Sequence, residues 1–157
     1  MLDQKLMLEI IARYETTYLA INRQIGSLFR ASMPDGLTVE QYSVLRYLRK
    51  QGKTNSSELA DTFCVGRSSI TALTTRLFDK QLIEREQDPK DRRVTYLKLL
   101  PAGEQLTDQS ELKIQEMLAL YIQHFDEQEA LQFITTYEKL AKVMSGTQGI
   151  EGGEIQQ

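Results

Sequence analysis

The sequence has 157 residues, 41% hydrophobic and 26% charged, which fits one ordinary soluble domain with long additions. It contains no run of about 18 apolar residues, so no membrane partner or span is expected. The start, MLDQKLMLEIIARYE, sets acids among its apolar residues and lacks a small-residue cleavage site, so no secretory signal is expected either. One cysteine forms no internal disulfide, and one cysteine with one histidine falls short of a zinc site of the usual N/S type. A reducing, cytoplasmic compartment without metal or cofactor is the expectation.

The net charge of −3 conceals an asymmetry. From Glu40 to Leu100 there are twelve Lys and Arg against eight Asp and Glu; the rest of the chain carries seven against fourteen. A mildly acidic chain thus has a basic middle, a pattern that permits nucleic-acid binding by one face without establishing it.

Apolar residues recur at helical spacing from Leu6 to about Ser32, through Ile10, Tyr14, Tyr18, Ile21, Ile25 and Leu28, and no proline intervenes before Pro34. Leu8, Ile11, Leu19 and Ala20 widen the stripe. A helix this long in so small a chain is expected to bury its excess face against a partner chain. Met33-Pro34-Asp35-Gly36 reads as a turn. Thr38 and Gln41 then form a capping box for a helix that ends at Gly52. Asn55 with Glu58 repeats the signal for a short helix through Leu59, Ala60 and Phe63, broken at Val65-Gly66. A third helix is predicted from Arg67 to about Lys80, with Ile70, Leu73 and Leu77 on its core face.

Alternation replaces helical spacing at Ile83 and Arg85, and again from Val94 to Leu100, so two short strands are predicted with the polar tip EQDPKDRR between them. Pro101 suits the first turn of a helix running to about His124. Phe125-Asp126-Glu127 marks a break, and a last helix carries Leu131, Ile134, Tyr137, Leu140 and Met144. The tail from Ser145 to Gln157 is rich in glycine and is expected to lack order.

Helix, short helix, break, helix and hairpin is the order of a winged helix-turn-helix. The fold expected is mainly α with a small β wing, joined to a helical dimerisation region. The domains expected are an N-terminal dimerisation helix over 1–33, a DNA-binding domain over 37–100, C-terminal dimerisation helices over 101–144 and a flexible tail over 145–157. Within the third helix, Arg67, Ser68, Thr71, Ala72, Thr74 and Thr75 are expected partly outside, where short hydroxyl and methyl groups can approach base edges. Ser68 and Ser69 serve equally well as helix caps. Lys90, Arg92 and Arg93 put three cations on a narrow tip that can enter a minor groove or straddle phosphates. Asp91 is the acid expected to pair with a guanidinium or cap the turn. The bland alternative for the whole tip is a solvated turn with surface ion pairs of little energy.

The stretch from Leu37 to Leu106 resembles the MarR family of bacterial transcription regulators. The resemblance rests on LTVEQYSVLRYL and on SSELADTFCVGRSSITALTTRLFDKQLIEREQDPKDRRVTYLKLLPAGEQL, with DPKDRR as the most specific part. It implies that Arg67 to Lys80 is the recognition helix, with Ser69 inside it, and that Ser56 and Ser57 lie near the phosphate backbone. It also implies that Arg93 enters the minor groove, with Arg92 as competitor and Asp91 as the orienting carboxylate. The chain departs from the family pattern at Leu99-Leu100-Pro101, where a threonine cap is usual, and at Gln81, where glycine is common; an αR or a strained turn is expected there. Further implications are a homodimer on a pseudo-palindromic double-stranded DNA operator, a repressor's role, and a small-molecule effector of unknown identity.

Cys64, beside Phe63 and Val65, is expected to be a small buried side chain. His124 reads as a helix-end residue. Tyr14, Tyr18, Tyr42, Tyr47, Tyr121 and Tyr137 could line an effector cavity, but at helical spacing such residues more often belong to a core. An enzyme is not expected, because the sole Cys and sole His are far apart in sequence and no Gly-rich phosphate loop occurs. The rival from another class is a winged-helix protein-interaction module without specific DNA binding.

Overall fold

A computed structural model of the chain describes residues 3–147. These residues fall into two compact units, which divide after Gln115. The first begins with α1 (Gln4–Ser32), whose N-cap, Asp3, accepts a hydrogen bond from the Lys5 backbone N–H. A tight turn at Pro34–Gly36 places Asp35 in the left-handed region, at φ 54°. The capping box then forms as predicted. Thr38 Oγ1 accepts from the Gln41 N–H, and Gln41 Oε1 accepts from the Thr38 N–H, both at 3.2 Å, to start α2 (Val39–Gln51). Gly52, at φ 80°, ends it.

A two-residue strand, β1 (Thr54–Asn55), precedes α3 (Ser56–Phe63). Only half of the second expected box forms. Asn55 Oδ1 accepts from the Glu58 N–H at 2.9 Å, while the Glu58 carboxylate takes its hydrogen bond from the Tyr47 hydroxyl instead. Cys64 closes α3 at φ 52° and is exposed, not buried. The left-handed cap accounts for this: it turns the chain out of the helix, so the residue next to Phe63 leaves the core face.

α4 (Arg67–Asp79) follows from Gly66, which offers no side-chain cap. It ends in a Schellman motif, in which the Leu82 N–H donates to the Leu77 carbonyl and the Gln81 N–H to the Phe78 carbonyl. Gln81 occupies the left-handed position at φ 57°, which resolves the turn the sequence left open. Because an L side chain is penalised there and glycine is not, Gln81→Gly is expected to stabilise the fold by roughly 0.5–1 kcal/mol. A denaturant midpoint that stays level or falls would refute this.

β2 (Ile83–Gln87) and β3 (Thr95–Leu99) make the wing, and β1 joins as a third antiparallel strand in the order β1–β3–β2. Thr54 lies opposite Leu97, and Ile83 opposite Leu99. The core gathers Leu45, Leu48, Leu59, Ile70, Leu77 and Ile83, each with 1% or less of its surface exposed. Thr54 is buried too, and its hydroxyl has no hydrogen-bond partner among the described residues.

α5 (Pro101–Ile122) starts against this core. The Leu100 N–H donates to the Leu82 carbonyl at 3.0 Å, and a Cβ built on Gly103 would stand 2.1 Å from that same oxygen. Thr107 and Ser110 are fully buried and return their hydroxyl protons to the carbonyls of Gly103 and Leu106. On the outside, Arg49 of α2 donates to the carboxylates of Asp108 and Glu111.

In the second unit, Asp126 and Glu129 exchange reciprocal capping bonds and begin α6 (Glu127–Thr147). The helix continues one turn past the expected end at Met144, and Ser145 bonds back to the Ala141 carbonyl. Neither serine nor glycine is a strong enough breaker to stop it. The rest of the expected tail, 148–157, lies outside the described residues. Both α1 and α6 carry large exposed apolar side chains, among them Leu8, Leu19, Phe133 and Met144, each 60% exposed or more.

Candidate nucleic-acid interface

The exposed side of α4 is built from small polar groups. Arg67, Ser68, Ser69, Thr71 and Ala72 are exposed, and Thr75 is half-buried. Neither Ser68 nor Ser69 uses its hydroxyl as a cap, so the capping alternative is not realised. With Gly66 as N-cap, the first amides of α4 face outward without a side-chain acceptor, a ready site for a phosphate oxygen. Ser56, half-buried, and Ser57, exposed, stand at the equivalent position on α3.

Thr74 is the correction on this helix. It is 3% exposed, and its hydroxyl donates to the Ile70 carbonyl at 2.9 Å. Ile70, Thr74 and Leu77 follow the i, i+4, i+7 spacing of one helical face, so Thr74 faces the core and cannot reach a duplex. Leu73, expected at the centre of that face, sits at its half-buried margin.

The wing tip is fixed by two aspartates. Asp88 Oδ1 accepts from the backbone N–H groups of Lys90 (2.7 Å) and Asp91 (3.1 Å), a turn-forming role the sequence reading assigned only to Asp91. An Asx-turn over D-P-K-D was the signal available for it. Asp91 in turn grips Arg93: Oδ1 accepts from the Arg93 N–H and Nε, both at 3.0 Å, and Oδ2 from Nη2 at 3.1 Å. This bidentate pair leaves three of the five guanidinium N–H groups free to point away from the tip. Lys90 and Arg92 are exposed and make no ion pair among the described residues.

Hydrogen bonds hold both carboxyls below the ordinary carboxylate value: those from the Lys90 and Asp91 amides for Asp88, and the Arg93 guanidinium with its amide for Asp91. A depressed carboxyl favours the folded tip above its ordinary value and loses that contribution only as pH falls through the lowered one. The tip therefore keeps this geometry across the neutral range. Behind it, Lys53 lies 4.4 Å from the Tyr96 ring centroid, and Glu86 pairs with Lys98 at 3.2 Å, bracing the strands just below the tip.

This arrangement of helix, left-handed break, helix and braced hairpin has known relatives. The MarR family model matches residues 37–95. The repressor MdtR of Bacillus subtilis, an HTH-type transcriptional regulator, is 33% identical over 78% of this chain and 84% of its own length. The chain belongs to the MarR family. As a member it is a DNA-binding transcription regulator with a winged-helix fold. The crystal structure of YusO from Bacillus subtilis is 29% identical, covers 90% of this chain and 99% of its own, and superposes with a TM-score of 0.65. A mutant MarR from Escherichia coli, solved with operator DNA, shares 21% identity and a TM-score of 0.73 over 83% of this chain and 94% of its own. At that identity it speaks for the fold.

Among the described residues, one open depression is lined by Glu127, Gln128, Leu131, Gln132 and Thr135 and another by Asp108, Glu111, Leu112 and Gln115, and neither lining includes a tyrosine. No helix of the described residues is long and apolar enough to cross a membrane, and no group of His, Cys, Asp and Glu among them could hold a metal ion.

Proposed function

We propose that the protein is a homodimeric repressor that acts in the cytoplasm, without catalysis, on a pseudo-palindromic operator. Each copy places α4 in a major groove and the wing in the adjacent minor groove. The contacts are assigned to Ser56, Ser57, Arg67, Ser68, Ser69, Thr71, Ala72 and Thr75 on the helices, and to Lys90, Arg92 and Arg93 on the wing. What carries the reading is Arg93, held by Asp91 on an exposed tip beyond a helix face of small polar residues. A rigidly presented guanidinium suits the negative potential of a narrow minor groove.

The exposed apolar faces of α1 and α6 support the second copy, because monomers rarely leave so much contiguous apolar surface in water. Two-fold symmetry then sets half-sites about 10 bp apart. An effector, where one acts, shifts the equilibrium only by binding one spacing of the two winged domains better than the other.

Selection of bound duplexes from a random pool tests the reading. A palindrome with half-sites about one helical turn apart is expected, whereas a stable dimer that prefers no duplex would favour a protein-interaction module. Binding to the selected duplex is also expected to weaken steeply with salt, log K falling by about 0.9 per phosphate contact on the log-salt scale. A flat response would remove the phosphate contacts.

A further inference from the structure

The three threonines in the middle of α4 differ in how they use their hydroxyl protons. Thr71 donates to the Arg67 carbonyl at 2.9 Å, and Thr74 donates to that of Ile70. Each has thereby spent its one proton on its own helix. Thr75 has not. Its oxygen accepts from Nη2 of Arg85 at 3.3 Å, and it donates to no acceptor among the described residues.

Arg85 belongs to the wing. It lies opposite Leu97 on β2, two residues beyond the buried Ile83, and therefore on the same strand face. Its guanidinium carbon sits 4.7 Å from the centroid of the Phe78 ring, and it makes no ion pair among the described residues. The ring holds the guanidinium next to α4, and one of its N–H groups meets Thr75. A guanidinium has no acceptor, so the Thr75 hydroxyl can only receive from it, and its own hydrogen must turn elsewhere.

We infer that Arg85 is a positioning residue for base reading, which holds the Thr75 hydroxyl as a hydrogen-bond donor available to an acceptor atom on a base edge. The inference rests on the reading of α4 as the recognition helix. In the major groove such acceptors are guanine N7 and O6, adenine N7 and thymine O4. A cytosine edge would not satisfy it in the same way, because cytosine presents an amino donor there. The wing and the recognition helix thus share one contact that sets the polarity of the Thr75 hydroxyl.

The test uses the full-length dimer and the duplex recovered by random-pool selection. Every base pair is substituted singly, and each purine N7 is also replaced by carbon. The parent is compared with Arg85→Ala, with Arg85→Met, which keeps an apolar stem on Phe78, with Thr75→Val, and with the Arg85→Ala/Thr75→Val double variant. Dimer mass and melting midpoint check that each variant is folded.

One base pair is expected at which the parent discriminates about 3- to 10-fold, the value of one hydrogen bond. Arg85→Ala, Arg85→Met and Thr75→Val each lose that discrimination at that base pair, and the double variant loses no more than either single change. The salt slope of the Arg85 variants stays that of the parent. A uniform loss over all duplexes with the slope reduced by about 0.9 would make Arg85 a phosphate contact and overturn the inference. Losses that fall on different base pairs, or that add in the double variant, would overturn it as well, as would Arg85 variants that discriminate like the parent. A parent that prefers no duplex would fail the underlying reading, and that result is read without any variant.

Discussion

Gly103→Ala is expected to destabilise the protein by about 1–3 kcal/mol and to lower its melting midpoint by several degrees. On helix propensity alone the change would work the other way, since alanine in a helix is worth up to about 1 kcal/mol over glycine. The sign is set by the neighbours. The new Cβ would lie 2.1 Å from the Leu82 carbonyl oxygen, 3.1 Å from its carbon and 3.1 Å from Leu99 Cδ2. Two of those atoms are backbone, and the oxygen already accepts from the Leu100 N–H, so it cannot move aside without breaking that bond. The start of α5 must back away from the base of the wing instead. A melting midpoint that rises would show that the approach is looser than described.

Arg93→Ala is expected to weaken operator binding by about 1–3 kcal/mol, with the protein folded and dimeric. Arg92→Ala is expected to cost less, because its side chain lacks the carboxylate that holds Arg93 in one geometry. Asp91→Asn separates orientation from charge. Removing a negative charge beside a polyanion should tighten binding on Coulomb grounds, so a loss of affinity can only come from releasing Arg93. We expect that loss. Tighter binding by Asp91→Asn, or equal affinity for both arginine variants and the parent, would take the wing out of the mechanism.

Much of this architecture is legible in the residues because local signals and burial agree. Thr38 with Gln41 starts α2, Gly52 ends it, and the switch from helical to alternating spacing at Ile83 marks the wing. β1 is invisible because two residues carry no period, and Thr54–Asn55 is a strand only through pairing with β3. Thr74 is misplaced for a different reason. Its polarity argues for solvent, but a threonine that bonds back to its own helix can be buried without leaving its proton unsatisfied, and periodicity then outweighs polarity. Cys64 errs in the opposite direction, since a small apolar neighbour of Phe63 takes the left-handed cap and is carried outward. At the wing, sequence identifies the arginines and Asp91, whereas Asp88 and Arg85 acquire their roles only through contacts that depend on the folded hairpin.

The order of strands in the small sheet bears on the solubility of the protein. A three-stranded sheet has two open edges, and an open edge invites pairing with another chain. Here one edge is only two residues long, and the other presents Glu84, Arg85 and Glu86 in succession. Short length at one margin and dense charge at the other deny an incoming strand a template, which protects the finger from fibrillar association or strand exchange at high concentration.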